Sequence, residues 1–104
     1  MNAFAWATDA IFTDPHQSRE ALWRAGGTGD PVPVWVVLRR PDRIANFGDG
    51  RFVAEAVLID VRIAEVAELA PGDRFEVGTV TYEVRGEPVR DSERLVWAAE
   101  ARAL

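Results

Sequence analysis

Apolar and polar positions alternate with a two-residue period along most of this chain. Residues 55–63 show it most clearly: Val57, Ile59, Val61 and Ile63 share one face, and Leu58, Asp60 and Arg62 the other. Residues 33–40 (PVWVVLRR) are almost continuously apolar and β-branched, and Pro41 stops them. Pro71-Gly72-Asp73 predicts a turn, followed by a strand at 74–77. Gly78-Thr79 then has the form of a type II′ hairpin turn leading into a strand at 80–85. Residues 86–93 read as a polar connection, and 94–102 as a last strand in which Leu95, Trp97, Ala99 and Ala101 alternate. Fully extended, the 55–63 run would reach about 30 Å. So long a strand in so short a chain is expected to bend around a barrel.

The N-terminal third follows a different period. Phe4, Ala7 and Ile11, with Phe12 beside them, predict a short helix over 3–12, capped by Asn2 and ended by Asp14-Pro15. A helix this short is marginal alone, so it must dock or stay mobile. Residues 18–24 fit a helical turn or a strand equally well, and Gly26 to Pro31 read as a flexible loop. The expected fold is mainly β: a small antiparallel β-barrel or β-sandwich with a short N-terminal helix. It is expected to be a single domain over 1–104, with a helical arm at 1–17 and the barrel or sandwich at 18–104.

Composition narrows the chemistry. The chain has 104 residues and no cysteine, which excludes disulfides, thiolate nucleophiles and cysteine zinc sites. No apolar run nears the roughly 20 residues that span a bilayer, and the absence of Lys or Arg before Arg19 speaks against a secretory signal. The net charge of −5 disfavours nonspecific binding to nucleic acid or anionic lipid. His16 is the single histidine and reads as a solvated loop residue. Gly26-Gly27-Thr28-Gly29 lacks the Lys-Ser/Thr of a phosphate loop and is followed by Asp30. Asp42 and Asp49 do not have calcium-loop spacing. Asp60, Glu65 and Glu68 read as solvated carboxylates rather than a catalytic pair. No nucleophile, base and orienter assemble, so no enzyme, cofactor or metal is expected.

What remains is a binding role. Arg39, Arg40, Arg43 and Arg51 form the one basic concentration, and Phe47 and Phe52 sit among them. Arginine interleaved with aromatics is enriched at protein interfaces. Trp35 and Trp97 read as core residues, whereas Phe4 and Trp6 would form an exposed apolar surface on a mobile helix. The candidate partner interface is therefore Phe4, Trp6, Arg39, Arg40, Arg43, Phe47 and Arg51.

From Leu58 to Trp97 the sequence resembles the lambda-type phage head–tail joining proteins. The resemblance runs through the Ile59, Val61, Ile63 strand and Glu65-Val66-Ala67-Glu68-Leu69. It continues through Pro71-Gly72-Asp73, the turn at Gly78 and the Tyr82-Glu83-Val84 strand, to Asp91 and Leu95-Val96-Trp97. Val34 to Leu38 with Pro41-Asp42, and Phe4 to Phe12, are similar to the family's first strand and opening segment. The glycine-rich stretch at 26–30 departs from the pattern and leaves the alignment of 13–33 open.

The resemblance implies a non-enzymatic structural head–tail connector of a phage or prophage. Such a protein is made in the bacterial cytoplasm and incorporated in the virion. It assembles into a ring between portal or adaptor and tail-terminator proteins, self-associating on assembly from a chain that can be monomeric in isolation. DNA would pass through the ring without being bound. By position, 41–53 matches the family's mobile loop, and the N-terminus matches an arm that orders on assembly. The alternative is a generic SH3-like or OB-like binding module, serving as a protein-binding adaptor or a weak nucleic-acid binder.

Overall fold

The structure is a computed structural model that describes the backbone of residues 3–39 and 56–104, with side chains from Ala5 onward within those ranges. Helix α1 (Ala3–Phe12) precedes six strands: β1 (Arg19–Arg24), β2 (Val32–Arg39), β3 (Ala56–Arg62), β4 (Arg74–Val77), β5 (Val80–Arg90) and β6 (Val96–Ala103). All pair antiparallel in the order β1-β2-β3-β6-β5-β4, and β4 pairs back onto β1. The sheet is thus a closed barrel, the first of the two expected β architectures.

The two-residue period selects the interior. Val57, Ile59 and Val61 of β3 are fully buried. Their partners on β6 are Ala101, Ala99 and Trp97. Small side chains stand opposite two of the branched ones because the bore of a six-stranded barrel is narrow. This explains why an alanine-rich segment is a strand: its alanines fill the barrel where larger residues would overpack. Phe75 of β4 and Val84 of β5 complete the centre of the core. Each such side chain, fully buried, contributes roughly 1.5–3 kcal/mol.

The ambiguous 18–24 segment is strand β1. Its register, Trp23 with Val32 on one side and with Phe75 on the other, makes it the strand that closes the barrel. Between Phe12 and β1, Asp14 organises the turn. Its carbonyl accepts from the amides of Gln17 and Ser18 at 2.9 Å and from the hydroxyl of buried Ser18 at 3.0 Å.

Four expectations are corrected. Residues 86–90 are not a connection but the second half of β5. The pairing with β6 runs from Arg85 opposite Glu100 to Val89 opposite Ala98, so β5 carries two extra residues there. Gly86, at φ 75°, turns the chain into this bulge, and Pro88 falls where pairing is interrupted. The last strand begins at Val96, because Arg94 sits in a left-handed turn at φ 57°. Trp35 is not a core residue: Val34 and Val36 point inward, so Trp35 between them faces outward. The helix buries Phe12 of its apolar stripe but not the rest of the described stripe. Ala7 and Ile11 are exposed, while Ala5, Thr8, Asp9 and Phe12 face inward. Its neighbour is a charged side chain, Arg62, which meets Asp9 and the Phe12 ring rather than Ala7 and Ile11.

Candidate interaction surfaces

Strand β3 runs between two structurally distinct ends of the barrel. At its N-terminal end, Leu58 pairs with Arg39, so the chain leaves β2 and re-enters β3 on the same side. Arg39 donates from Nε and Nη2 to the two carboxylate oxygens of Asp60, both at 2.8 Å. This forked pair spans β2 and β3 and raises the Arg39 pKa further above its ordinary value. Arg39 is thus half committed to the sheet, although its side chain remains half exposed. Arg40, Arg43, Phe47 and Arg51, and Asn2 as a helix cap, lie outside the described residues, as do the loop at 41–53 and the Phe4 side chain.

At the other end of β3, Arg62 receives the helix. It donates from Nη1 to Asp9 at 3.1 Å and from Nη2 to Glu65 at 2.8 Å, and lies 5.3 Å from the centre of the Phe12 ring. Glu65 also accepts from the backbone N–H of Trp35 at 3.4 Å, so α1, β2 and the turn after β3 meet at one guanidinium. Glu65 is therefore an ion-pair partner rather than a free solvated carboxylate, whereas Glu68 is exposed. Trp6 lies on the outward side of this helix, 72% exposed. The structure therefore separates the candidate interface residues. Trp6 belongs to the helix held at Arg62, whereas Arg39 pairs with Leu58, four residues or roughly 13 Å back along β3.

A third feature had no expected role. Asp73 is buried, and its carboxylate accepts from the Trp23 indole at 3.0 Å, the Gly26 amide at 2.7 Å and the Ala70 amide at 3.2 Å. It therefore ties the glycine-rich turn to the start of β4, so that this turn is anchored rather than free. Trp97, buried as expected, donates its indole N–H to the Val66 carbonyl at 2.8 Å. The sequence signal for Asp73 was its place in Pro-Gly-Asp; its distant donors leave no local trace.

Beside the β5 bulge, Leu69, Glu87, Pro88, Arg90 and Trp97 line an open groove of about 680 Å³, and the Arg90 guanidinium lies 5.3 Å from the Trp97 ring. Among the described residues no three His, Asp or Glu side chains are placed to hold a metal ion. Among the described residues no helix is long and apolar enough to cross a membrane. The geometry is one of exposed end surfaces and an open groove.

Compared with known proteins, residues 1–101 match the model of a family described as phage head-tail attachment protein. No curated protein and no solved structure matches the chain.

Proposed function

The chain belongs to the phage head-tail attachment protein family, and from that membership we propose that it is a structural head–tail connector, a head-closure or joining protein. The family is one of structural virion proteins that act with other head and tail proteins. Beyond this, the proposal is that copies assemble into a ring between a portal or adaptor below and a tail-terminator protein above. DNA passes through the ring, and no step of the role is enzymatic.

The observation that supports this most directly is the separation of surfaces along β3. A joining protein needs two outward faces held at a set distance. Here the 39–56 boundary and helix α1 stand at opposite ends of hydrogen-bonded strands. Arg40, Arg43, Phe47 and Arg51 are proposed to act at the first end, and Phe4 and Trp6 at the second. The acidic balance of the chain suits DNA passage without adhesion.

The test is light scattering of the purified chain across concentration, alone and with the portal and tail-terminator proteins of the same phage. A chain that enters a ring-sized complex when such a partner is present is the expected result. Arg43→Glu, Phe47→Ala and Trp6→Ala should each weaken that complex while leaving the far-ultraviolet circular dichroism unchanged. A chain that keeps its monomer mass with every head and tail protein would overturn the connector role.

A further inference from the structure

Helix α1 is amphipathic in the reverse of the usual sense. Its one charged residue, Asp9, faces the barrel and pairs with Arg62, and Phe12 is buried under the same guanidinium. The outward side chains are Trp6, Ala7, Ala10 and Ile11, all exposed and all uncharged. Among the described residues, the other exposed tryptophan, Trp35, stands beside a charge, because it pairs across the strands with Glu20. On a chain of net charge −5, α1 thus presents an apolar face that carries no charge of its own.

The four outward residues are arranged so that the face complements itself. With about 3.6 residues per turn, Trp6 and Ala10 lie on one flank of the face, and Ala7 and Ile11 on the other. Each flank has one large and one small side chain, in opposite order along the helix. A two-fold axis that sets two such helices antiparallel keeps each flank opposite itself and reverses its ends. Trp6 of each copy then stands over Ala10 of the other, and Ile11 over Ala7. The alanines occupy the middle of the contact and admit the close approach of packed helices, about 8–10 Å between axes. The helix dipoles favour the antiparallel order.

We infer that the outward face of α1 docks on the same face of a second copy of this chain, antiparallel about a two-fold axis. Identical copies of an acidic chain repel each other, and an uncharged face is where they meet at least cost. The face measures on the order of 300 Å², against about 800 Å² per partner in a stable complex. The pairing is therefore weak, with a Kd on the order of a millimolar, and forms where copies are concentrated. It also covers Trp6. With Trp6 at a joining surface, as proposed above, pairing and joining exclude each other, so the second copy keeps that surface covered until a head or tail protein displaces it. This consequence rests on the joining role, whereas the pairing itself does not.

The test is sedimentation equilibrium of the full-length chain from roughly 20 μM to 2 mM, a range that spans the expected Kd. The apparent mass should rise from that of one copy toward that of two and go no higher. Trp6→Ala should weaken the pairing about tenfold, as loss of a central aromatic contact implies. Ala10→Leu should weaken it as well, because the added bulk stands where Trp6 of the other copy packs. The exchange Trp6→Ala with Ala10→Trp should restore it, since large again stands over small on the same flank. A chain that keeps the mass of one copy throughout, an Ala10→Leu chain that associates more strongly, or an exchange variant that does not recover would each overturn the inference. A chain that stays single while Trp6→Ala weakens binding to a head or tail protein would assign the face to that protein instead. No head or tail protein is present in the sedimentation cell, so failure there with ring assembly intact would remove the pairing and leave the connector role standing.

Discussion

The indole N–H of Trp23 donates to Oδ2 of Asp73 at 3.0 Å, joining β1 to the turn before β4 across fifty residues of chain. With the Gly26 and Ala70 amides on the same carboxylate, Asp73 satisfies three donors at the seam where the barrel closes. Removing it leaves three part-buried donors without their partner, two of them on exposed residues that water can reach, so each costs roughly 1 kcal/mol, the low end of the range for an orphaned group. Asp73→Ala is therefore expected to destabilise the fold by about 3 kcal/mol in urea unfolding. Asp73→Asn should fall between, because an amide nitrogen cannot accept where one carboxylate oxygen did.

The helix is held by two contacts of unequal strength. The Asp9–Arg62 pair has one half-exposed member, so its coupling in a double-mutant cycle should be about 0.5 kcal/mol. Phe12 is 2% exposed beneath the same guanidinium. Phe12→Ala should cost about 3 kcal/mol of helix docking. Hydrogen exchange at the α1 amides should thus rise to the unprotected rate in Phe12→Ala and only modestly in Asp9→Asn, with the β3 amides unchanged in both.

The hairpin joining β4 and β5 isolates the cost of a backbone conformation. Gly78 sits at φ 61°, and a Cβ added there would meet no atom within 4 Å. Gly78→Ala should therefore cost about 1 kcal/mol in denaturant unfolding, entirely from the left-handed backbone. A much larger loss would mean that the turn makes contacts its geometry does not show.

Asp14 gives the chain a local acid sensitivity. Its carboxylate accepts from the His16 amide at 2.9 Å and the Gln17 side-chain amide at 3.2 Å. The first of these most strongly, then the second, lowers its pKa from the ordinary aspartate value of 3.8. A lowered folded pKa stabilises the turn above that ordinary value, and the contribution disappears as pH falls through the folded one. A ¹³C titration should show Asp14 protonating below the free-aspartate range, with the His16 amide shift following the same curve.

The β architecture was legible because β3, β4 and the first half of β5 each bury one face of a strict alternation. The helix bounds were equally legible, but the inward face was not. The apolar stripe of Ala7 and Ile11 points to solvent, since the surface that receives α1 presents Arg62. Trp35 misleads in the same way: a tryptophan in an apolar run reads as core, yet the period places it outside. Continuation of β5 beyond Gly86 was hidden because Gly and Pro look like loop residues unless a bulge absorbs them. The candidate sites were less legible still. Arg62, Asp73 and Arg94 draw their roles from partners or backbone angles that short-range spacing does not encode.

Beyond Val84, the edge of β5 that faces away from β6 has no strand partner among the described residues, because β4 pairs only as far as Glu83. Such an edge invites pairing with another molecule. Here Pro88 removes a donor midway along it and the bulge twists it out of line. In the proposed ring, copies held at high local concentration would therefore meet through side chains rather than by zipping sheet to sheet through backbone.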